Sequence, residues 1–475
     1  MKRLLALVAV MALTAVACGG SSDEGGGGSV DAGDCPVGAL ADASGPVEVV
    51  MWETFTGQPL RAMEELVAEY NASQDKVSIR MENQGVGYEE IQRKFNTAIS
   101  TGNLGGLVVL EDTQTQFMAD SGVIVSAQAC AEADDYDLGQ FNEAVRNFYS
   151  VESVLQPATT NLSTGVMYYN RDHLTEAGLD PDSPPATLEE LKEASLAIQA
   201  AGVTEKPFVM VLQPWFIEHW LTGSGVEIVN NNNGRDALAT ESTFNNATTI
   251  ELYTWLAEMN ELGLLNAVPG TEGQVDHYFA MALESASITI ETSTAISTIN
   301  AVLEGTLDPA EVGLDADSLP AIDINVDVAP FPGITAPGEV QAGGGAIYIP
   351  NTNPPEVIAG AWDFIKWLNT PEIQAKWMIG ATYMAWNTAA AQQQDLIDWE
   401  TTTRPGGWLT VAVEEIANLD PSFPGPLIGP YTDTREAIRQ SLDELLLSGV
   451  SPDAAVSKAS DAISTALERY EDENF

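Results

Sequence analysis

The chain has 475 residues, of which 19 are basic and 69 acidic, for a formal charge of −50. An apolar content of 45% marks a globular body rather than a disordered one. The charge excludes general nucleic-acid binding, which needs cationic surface to release counterions, and it excludes a polybasic membrane-surface role. His173, His219 and His277 have no ligand-like spacing, and there are only three cysteines. No metal site is expected, and the histidines read as ordinary structural residues.

Lys2 and Arg3 precede an apolar run, Leu4 to Leu13, that is too short to span a bilayer, for which about 20 residues are needed. Residues 1–17 therefore read as a secretory signal peptide. Ala15-Val16-Ala17-Cys18 resembles the lipobox of bacterial lipoproteins, which implies a lipid on Cys18. Ordinary signal cleavage with Cys18 incidental is the competing reading. A Gly/Ser-rich tether is expected over 18–45, and its Cys18–Ser29 run has a coil reach of roughly 20–25 Å. In an oxidising compartment, the remaining pair Cys35 and Cys130 is expected to form a disulfide.

Val47–Trp52 and Val77–Met81 read as strands, and Leu60–Tyr70 and Tyr88–Ser100 as amphipathic helices. Leu107–Leu110 suits a buried parallel strand. Alternation of this kind predicts an α/β layer. Strands follow at Val166–Tyr169, Ala286–Ile290, Asp323–Ala329 and Gly345–Ile349. The Thr187–Glu190 capping box starts a helix that ends near Gly202. A helical stretch is expected over 245–265, and the run Asn230–Asn233 reads as a polar loop. From Pro354 onward the pattern is largely helical, with Asn353-Pro354 and Ser451-Pro452 at two helix starts. Two α/β lobes that exchange chain more than once are the expected architecture, with a ligand between them.

Four stretches carry a resemblance. They are Tyr168-Tyr169-Asn170-Arg171-Asp172 with its Pro184-Pro185-Ala186-Thr187 sequel, Gly343 to Ile349, Ala361 to Gly380, and the final helix Ser451 to Tyr470. Their order is similar to that of solute-binding proteins of ATP-binding-cassette importers, in the maltose-binding-like family and nearest its glycerol-3-phosphate-binding branch. The resemblance implies a two-lobed periplasmic-binding-protein type II fold, the Venus flytrap, with about three hinge crossovers near Thr159–Ser163, Thr292 and Ile349–Pro350. It places 46–158 plus 293–349 in lobe 1 and 159–292 plus 350–475 in lobe 2.

The same resemblance implies a ligand set: Tyr88, Asp112 (with Glu111 the one-residue alternative), Ser163, Leu212, Trp215, Thr292 or Ser293, Gly344, Gly345, Tyr383 and Arg435. Arg435 would take a phosphate through its planar fork, glycines 343–345 would admit close backbone, and Asp112 would accept glycerol hydroxyls. Trp215 would cover carbon, and Leu212 would leave room for a substituent. The implied function is delivery of glycerol 3-phosphate or glycerophosphodiesters to a membrane permease; a neutral sugar or oligosaccharide is the alternative ligand. The implied protein is a monomer without a cofactor, held on the outer face of the bacterial cytoplasmic membrane. An enzyme is disfavoured. Glu111 and Asp112 are adjacent on a strand end and point opposite ways, so they cannot flank one glycosidic bond. No Gly-x-Ser-x-Gly elbow is present.

Overall fold

The computed structural model describes residues 34–270, 276–308 and 322–475. The signal peptide and Cys18 lie outside the described residues. The eleven strands of the two main sheets and a small hairpin run in chain order as β1 (Val47–Glu53), β2 (Val77–Asn83), β3 (Leu107–Glu111), β4 (Ile124–Val125), β5 (Ser150–Val151), β6 (Val154–Leu155), β7 (Thr159–Ser163), β8 (Gly165–Asn170), β9 (Phe208–Leu212), β10 (Leu265–Pro269), β11 (Ile288–Thr292), β12 (Val326–Pro330) and β13 (Gly343–Pro350). They build two lobes. The first sheet has the order β2-β1-β3-β13-β4, with β7 added on β13; the second has the order β10-β9-β11-β8-β12.

Local chemistry explains the first sheet. β1 presents Val47, Val49 and Met51 to the core, and Leu107–Leu110 of β3 is buried on both faces, as a central parallel strand must be. The intervening Gly57–Ser73 and Tyr88–Ile99 helices bury Met63, Leu66, Val67 and Tyr70, and Ile91 and Phe95. β13 enters antiparallel to both β3 and β7. In the second sheet, β8 lies antiparallel between β11 and β12, while β9, β10 and β11 run parallel. The Leu188–Ala201 helix has Thr187 as its cap and left-handed Gly202 at its end.

The chain crosses between lobes at Thr164, between β7 and β8. It crosses again between β12 and β13, and the segment at Ser293 runs beside both crossings while staying with the second sheet. These three segments are stitched side by side. Ser293 N donates to Thr164 O at 2.8 Å, Thr164 N donates to Ser293 Oγ at 3.3 Å, and Thr164 Oγ1 donates to Gln341 O at 3.1 Å.

The chain course corrects the expected lobe bounds, crossings and tether. β12 belongs to the second sheet, through its full register with β8, and the Ala295–Glu304 helix packs on β11, so among the described elements of 293–349 only β13 lies in lobe 1 and the expected crossover near Thr292 is absent. The helices between Pro355 and Thr402 belong to the first lobe rather than the second, while the Arg404–Ala417 helix packs on β12 and β8 of the second sheet, with Trp408 Nε1 donating to Asp327 at 3.0 Å. The apolar stripes of the first group, including Ile358, Trp362, Ile365 and Trp377, are buried in the first core, and burial against the nearest uncovered sheet face decides where an amphipathic helix docks. The crossing expected at Ile349–Pro350 therefore precedes β13 instead, and the chain returns to the second lobe near Thr403, ahead of the Arg404–Ala417, Tyr431–Leu446 and Pro452–Asn474 helices. Finally, the tether does not extend to 45. Cys35 is buried in a disulfide with Cys130, and the Ala39–Asp42 helix packs on the body.

Asn230–Asn233 is not an irregular loop. Asn231, Asn232 and Asn233 have φ of 59°, 55° and 56°, and Gly234 continues the left-handed path. Asn tolerates this region best among residues with a Cβ. The turn is pinned by Asn233 Oδ1, which accepts from Ile228 N at 2.7 Å.

Among the described residues, only Glu53, Asp112, Glu218, Glu291 and Glu415 are buried carboxylates. The net charge is thus a property of the solvated surface. Two of these five, Asp112 and Glu218, converge at one place between the lobes. No helix among the described residues is long and apolar enough to cross a membrane.

Candidate functional site

The C-terminal ends of the parallel strands in the first sheet set the lobe-1 wall. Glu111 ends β3 and Asp112 begins the following turn. Opposite Glu111 lies Gly345 of β13, and opposite Ser163 lies Gly343. The glycines are required here by what approaches them. A Cβ on Gly343 would stand 2.9 Å from the indole of Trp215. Gly344 has φ +113°, in the left-handed half of the map, and Gly345 lies directly under the Tyr88 hydroxyl. Gly344 N donates to Asp112 Oδ2 at 3.1 Å.

Two helices supply the lobe-2 wall. The Pro214–Gly223 helix starts with its proline in the first turn and carries Trp215, Glu218 and His219. The Tyr431–Leu446 helix carries Tyr431 and, one turn on, Arg435, whose guanidinium lies 5.2 Å above the Tyr431 ring centre.

Arg435 joins the two walls. Its Nε and Nη2 donate to Glu218 at 2.8 Å each, a two-pronged pair within lobe 2. Its Nη1 reaches across to Glu111 Oε1 at 2.6 Å, and Nη2 stands 3.8 Å from Asp112 Oδ1. Glu218 also receives Gln341 Nε2 and Tyr431 Oη, each at 3.3 Å. Burial works against the charged guanidinium, but Glu218, Glu111 and Asp112 outweigh it and hold its pKa above the ordinary arginine value. Burial pushes Asp112 up to about 8; Arg435 opposes this, while Glu111 and Glu218 add to it. Three carboxylates around one guanidinium make the site net negative, and a proton on Asp112 relieves part of the excess.

Tyrosines close the lobe-1 side. The Tyr88 and Tyr383 phenols lie beside each other, both pushed up in pKa chiefly by burial, and Tyr383 stacks on Trp377 with centroids 5.6 Å apart. Tyr149 is fully buried with its hydroxyl unpartnered; burial and then the Asp112 charge push its pKa well up. Asp112 Oδ1 also lacks a hydrogen bond. A buried carboxyl and a phenol offer hydrogen-bonding groups suited to ligand hydroxyls. His219 is held neutral, its pKa pushed down to about 3 by burial and by Arg435. Its Nε2 accepts from Gly165 N at 3.0 Å, and its ring supports Trp215 at 4.0 Å.

Tyr88, Asp112, Ser163, Trp215, Gly344, Gly345, Tyr383 and Arg435 thus surround one interlobe region. Three expected residues do not. Leu212 is fully buried in the second core, because β9 is a central apolar strand with both faces covered. Ser293 is spent on the crossover at Thr164, and Thr292 O accepts from Tyr168 Oη at 2.8 Å while its hydroxyl meets Thr294 Oγ1 at 3.1 Å. Sequence reasoning missed Glu218, Gln341, Tyr149 and Tyr431. Glu218 was the findable one. A lone carboxylate inside Trp-Phe-Ile-Glu-His-Trp-Leu, on the same helix face as Trp215, has to find a cation once buried. Farther along that helix, a cavity of about 160 Å³ lies between the lobes, lined by Phe148, Thr222, Gly225, Gln341 and Phe423 among others. Among the described residues, no group of three His, Cys, Asp or Glu could hold a metal ion.

The comparisons agree with this arrangement. The chain is 24% identical over 444 residues to the sn-glycerol-3-phosphate-binding periplasmic protein UgpB of Yersinia pestis bv. Antiqua (strain Antiqua), covering 91% of this chain and 95% of that one. Its fold matches the crystal structure of UgpB from Mycobacterium tuberculosis in complex with glycerophosphocholine, with a TM-score of 0.73, 17% identity and coverage of 90% and 100%. It also matches the cyclic alpha-maltosyl-1,6-maltose binding protein from Arthrobacter globiformis, with a TM-score of 0.67, 21% identity and coverage of 90% and 100%. The family model for bacterial extracellular solute-binding proteins matches residues 65–403. With two α/β lobes and a polar cluster between them, the chain belongs to the bacterial extracellular solute-binding proteins, which hand small molecules to the permeases of ATP-binding-cassette importers.

Proposed function

We propose that this protein binds glycerol 3-phosphate or, preferentially, glycerophosphodiesters, and delivers them to its permease while held to the membrane by a lipid on Cys18. Arg435 carries the reading. It is a guanidinium fixed from behind by Glu218, with Nη1 aimed across the gap between the lobes. A phosphate oxygen would take the Nη1 side, Asp112 would meet the glycerol hydroxyls, and Trp215 would cover the carbon chain. The net-negative surroundings favour a singly charged diester over a doubly charged monoester. Space for the second substituent lies in the cavity beyond Gln341 rather than at Leu212. The names of the curated relatives support the same ligand class.

A neutral oligosaccharide is the second reading. It is favoured by the excess of carboxylates, which accept sugar hydroxyls well and repel an anion. Calorimetry on the parent and on Arg435→Ala separates the two. A hydrogen bond to a charged partner contributes about 1.5–3 kcal/mol. The variant should therefore bind glycerophosphocholine at least about tenfold more weakly, at 1.4 kcal/mol per decade. Binding of a maltose-series sugar by the parent, with no uptake of phosphate compounds, would replace the proposal with the sugar reading. The anchor has its own test. Cys18→Ser should move the protein from the membrane fraction to the soluble extracytoplasmic fraction, and an unchanged distribution would remove the lipid.

A further inference from the structure

The two glutamates on Arg435 are not equivalent. Glu218 is fully buried, shares the lobe of Arg435 and is further held by Gln341 and Tyr431. Glu111 belongs to the other lobe, and its side chain is 34% exposed. Its second oxygen has only a long contact, 3.3 Å from Thr113 Oγ1. One carboxylate is a fixture, and the other can leave.

A carboxylate and a phosphate present the same thing to a guanidinium, two oxygens with shared negative charge at hydrogen-bond spacing. Glu111 Oε1, 2.6 Å from Nη1, stands where an anionic ligand arriving between the lobes would place an oxygen. We propose that Glu111 is a built-in competitor for the anion position. It occupies the free side of Arg435 until a ligand anion displaces it, and so sets which anions the site accepts. This rests on the phosphate reading above.

Two consequences follow from the geometry. The Glu111–Arg435 bond spans the lobes, so it favours their approach without ligand. Its rupture charges a toll on every anion and none on a neutral ligand that leaves Arg435 alone. A weak, diffuse anion cannot displace the carboxylate. A phosphate that also engages Asp112 and Trp215 through its glycerol can. Asp112, one residue on, has the opposite role, because it is buried and tied to Gly344 N.

The test inverts the usual expectation for a residue beside a ligand. Glu111→Gln keeps the shape and removes the charge. At fixed ionic strength, calorimetry with glycerol 3-phosphate should show the variant binding at least about tenfold more tightly than the parent, with affinity for a maltose-series sugar not increased. Small-angle scattering should show the ligand-free variant more expanded than the ligand-free parent. If the parent binds glycerol 3-phosphate and the variant binds it equally or more weakly, the competitor role is overturned, and weaker binding would make Glu111 a direct ligand contact. If neither protein binds any phosphate compound, the phosphate reading falls as well.

Discussion

Glu218→Ala is expected to lower the unfolding free energy by about 3–5 kcal/mol, the usual cost of breaking a buried ion pair by removing one partner. The loss is concentrated. Arg435 Nε and Nη2 lose both acceptors at once, and the partners of Gln341 Nε2 and Tyr431 Oη disappear with them. Glu111 can hold only the outer nitrogen. A neutralising second change should recover part of the deficit. In a double-mutant cycle, Glu218→Ala with Arg435→Met should be more stable than Glu218→Ala alone, because no uncompensated charge then remains buried. Urea unfolding measures both. A Glu218→Ala variant within about 1 kcal/mol of the parent would mean that the pair is not closed to water, contrary to the burial of Glu218.

Removing the disulfide should have an effect of similar size. Cys35 and Cys130 are 95 residues apart in sequence, with Cα atoms 4.8 Å apart. For a closed loop of that length, chain entropy alone gives about 4–5 kcal/mol at 25 °C, with less expected where the unfolded chain retains structure. Both cysteines are buried, so the double alanine variant is preferable to one that places serine hydroxyls in the core. In urea, the variant should unfold at a lower midpoint. Its dependence on denaturant should steepen, because the unlinked chain exposes more surface when unfolded. An unchanged midpoint would show that the bridge constrains nothing that the packing of the Ala39–Asp42 helix does not already fix.

Legibility in the sequence follows the reach of the forces. The β1–β3 region was readable because local periodicity and burial agree there: Val47, Val49 and Met51 alternate, and Leu107–Leu110 is uniformly apolar. Caps were readable for the same reason, with Thr187, Gly202 and Ser451-Pro452 each acting within a turn. β9 was not. Phe208–Leu212 runs with only Gln213 between into a helix that is itself apolar nearly all round, so neither period stands out. The lobe to which the Pro355–Leu368 and Pro371–Ala381 helices belong was also hidden. An amphipathic stripe says that a face is buried but not against which sheet.

At the site, resemblance pointed to Tyr88, Asp112, Trp215 and Arg435, which the fold brings to one interlobe region, and it implied an arginine awaiting phosphate. The structure shows that arginine already engaged by Glu218 and Glu111. Pair identity across more than 200 residues of chain is a tertiary fact, and no spacing rule carries it.

The disulfide also decides where a pull on this molecule is felt. Tension arriving along the residues before Cys35 passes through the sulfur bridge into Cys130, in the Ala127–Ala133 helix, and through the Ala39–Asp42 helix onto the Pro355–Leu368 helix. All of these belong to the first lobe, so the load path never enters the second. The first lobe is the stator and the second the free arm. With the proposed lipid on Cys18, drag at the membrane would move the body about but do no work on the gap in which Arg435 sits.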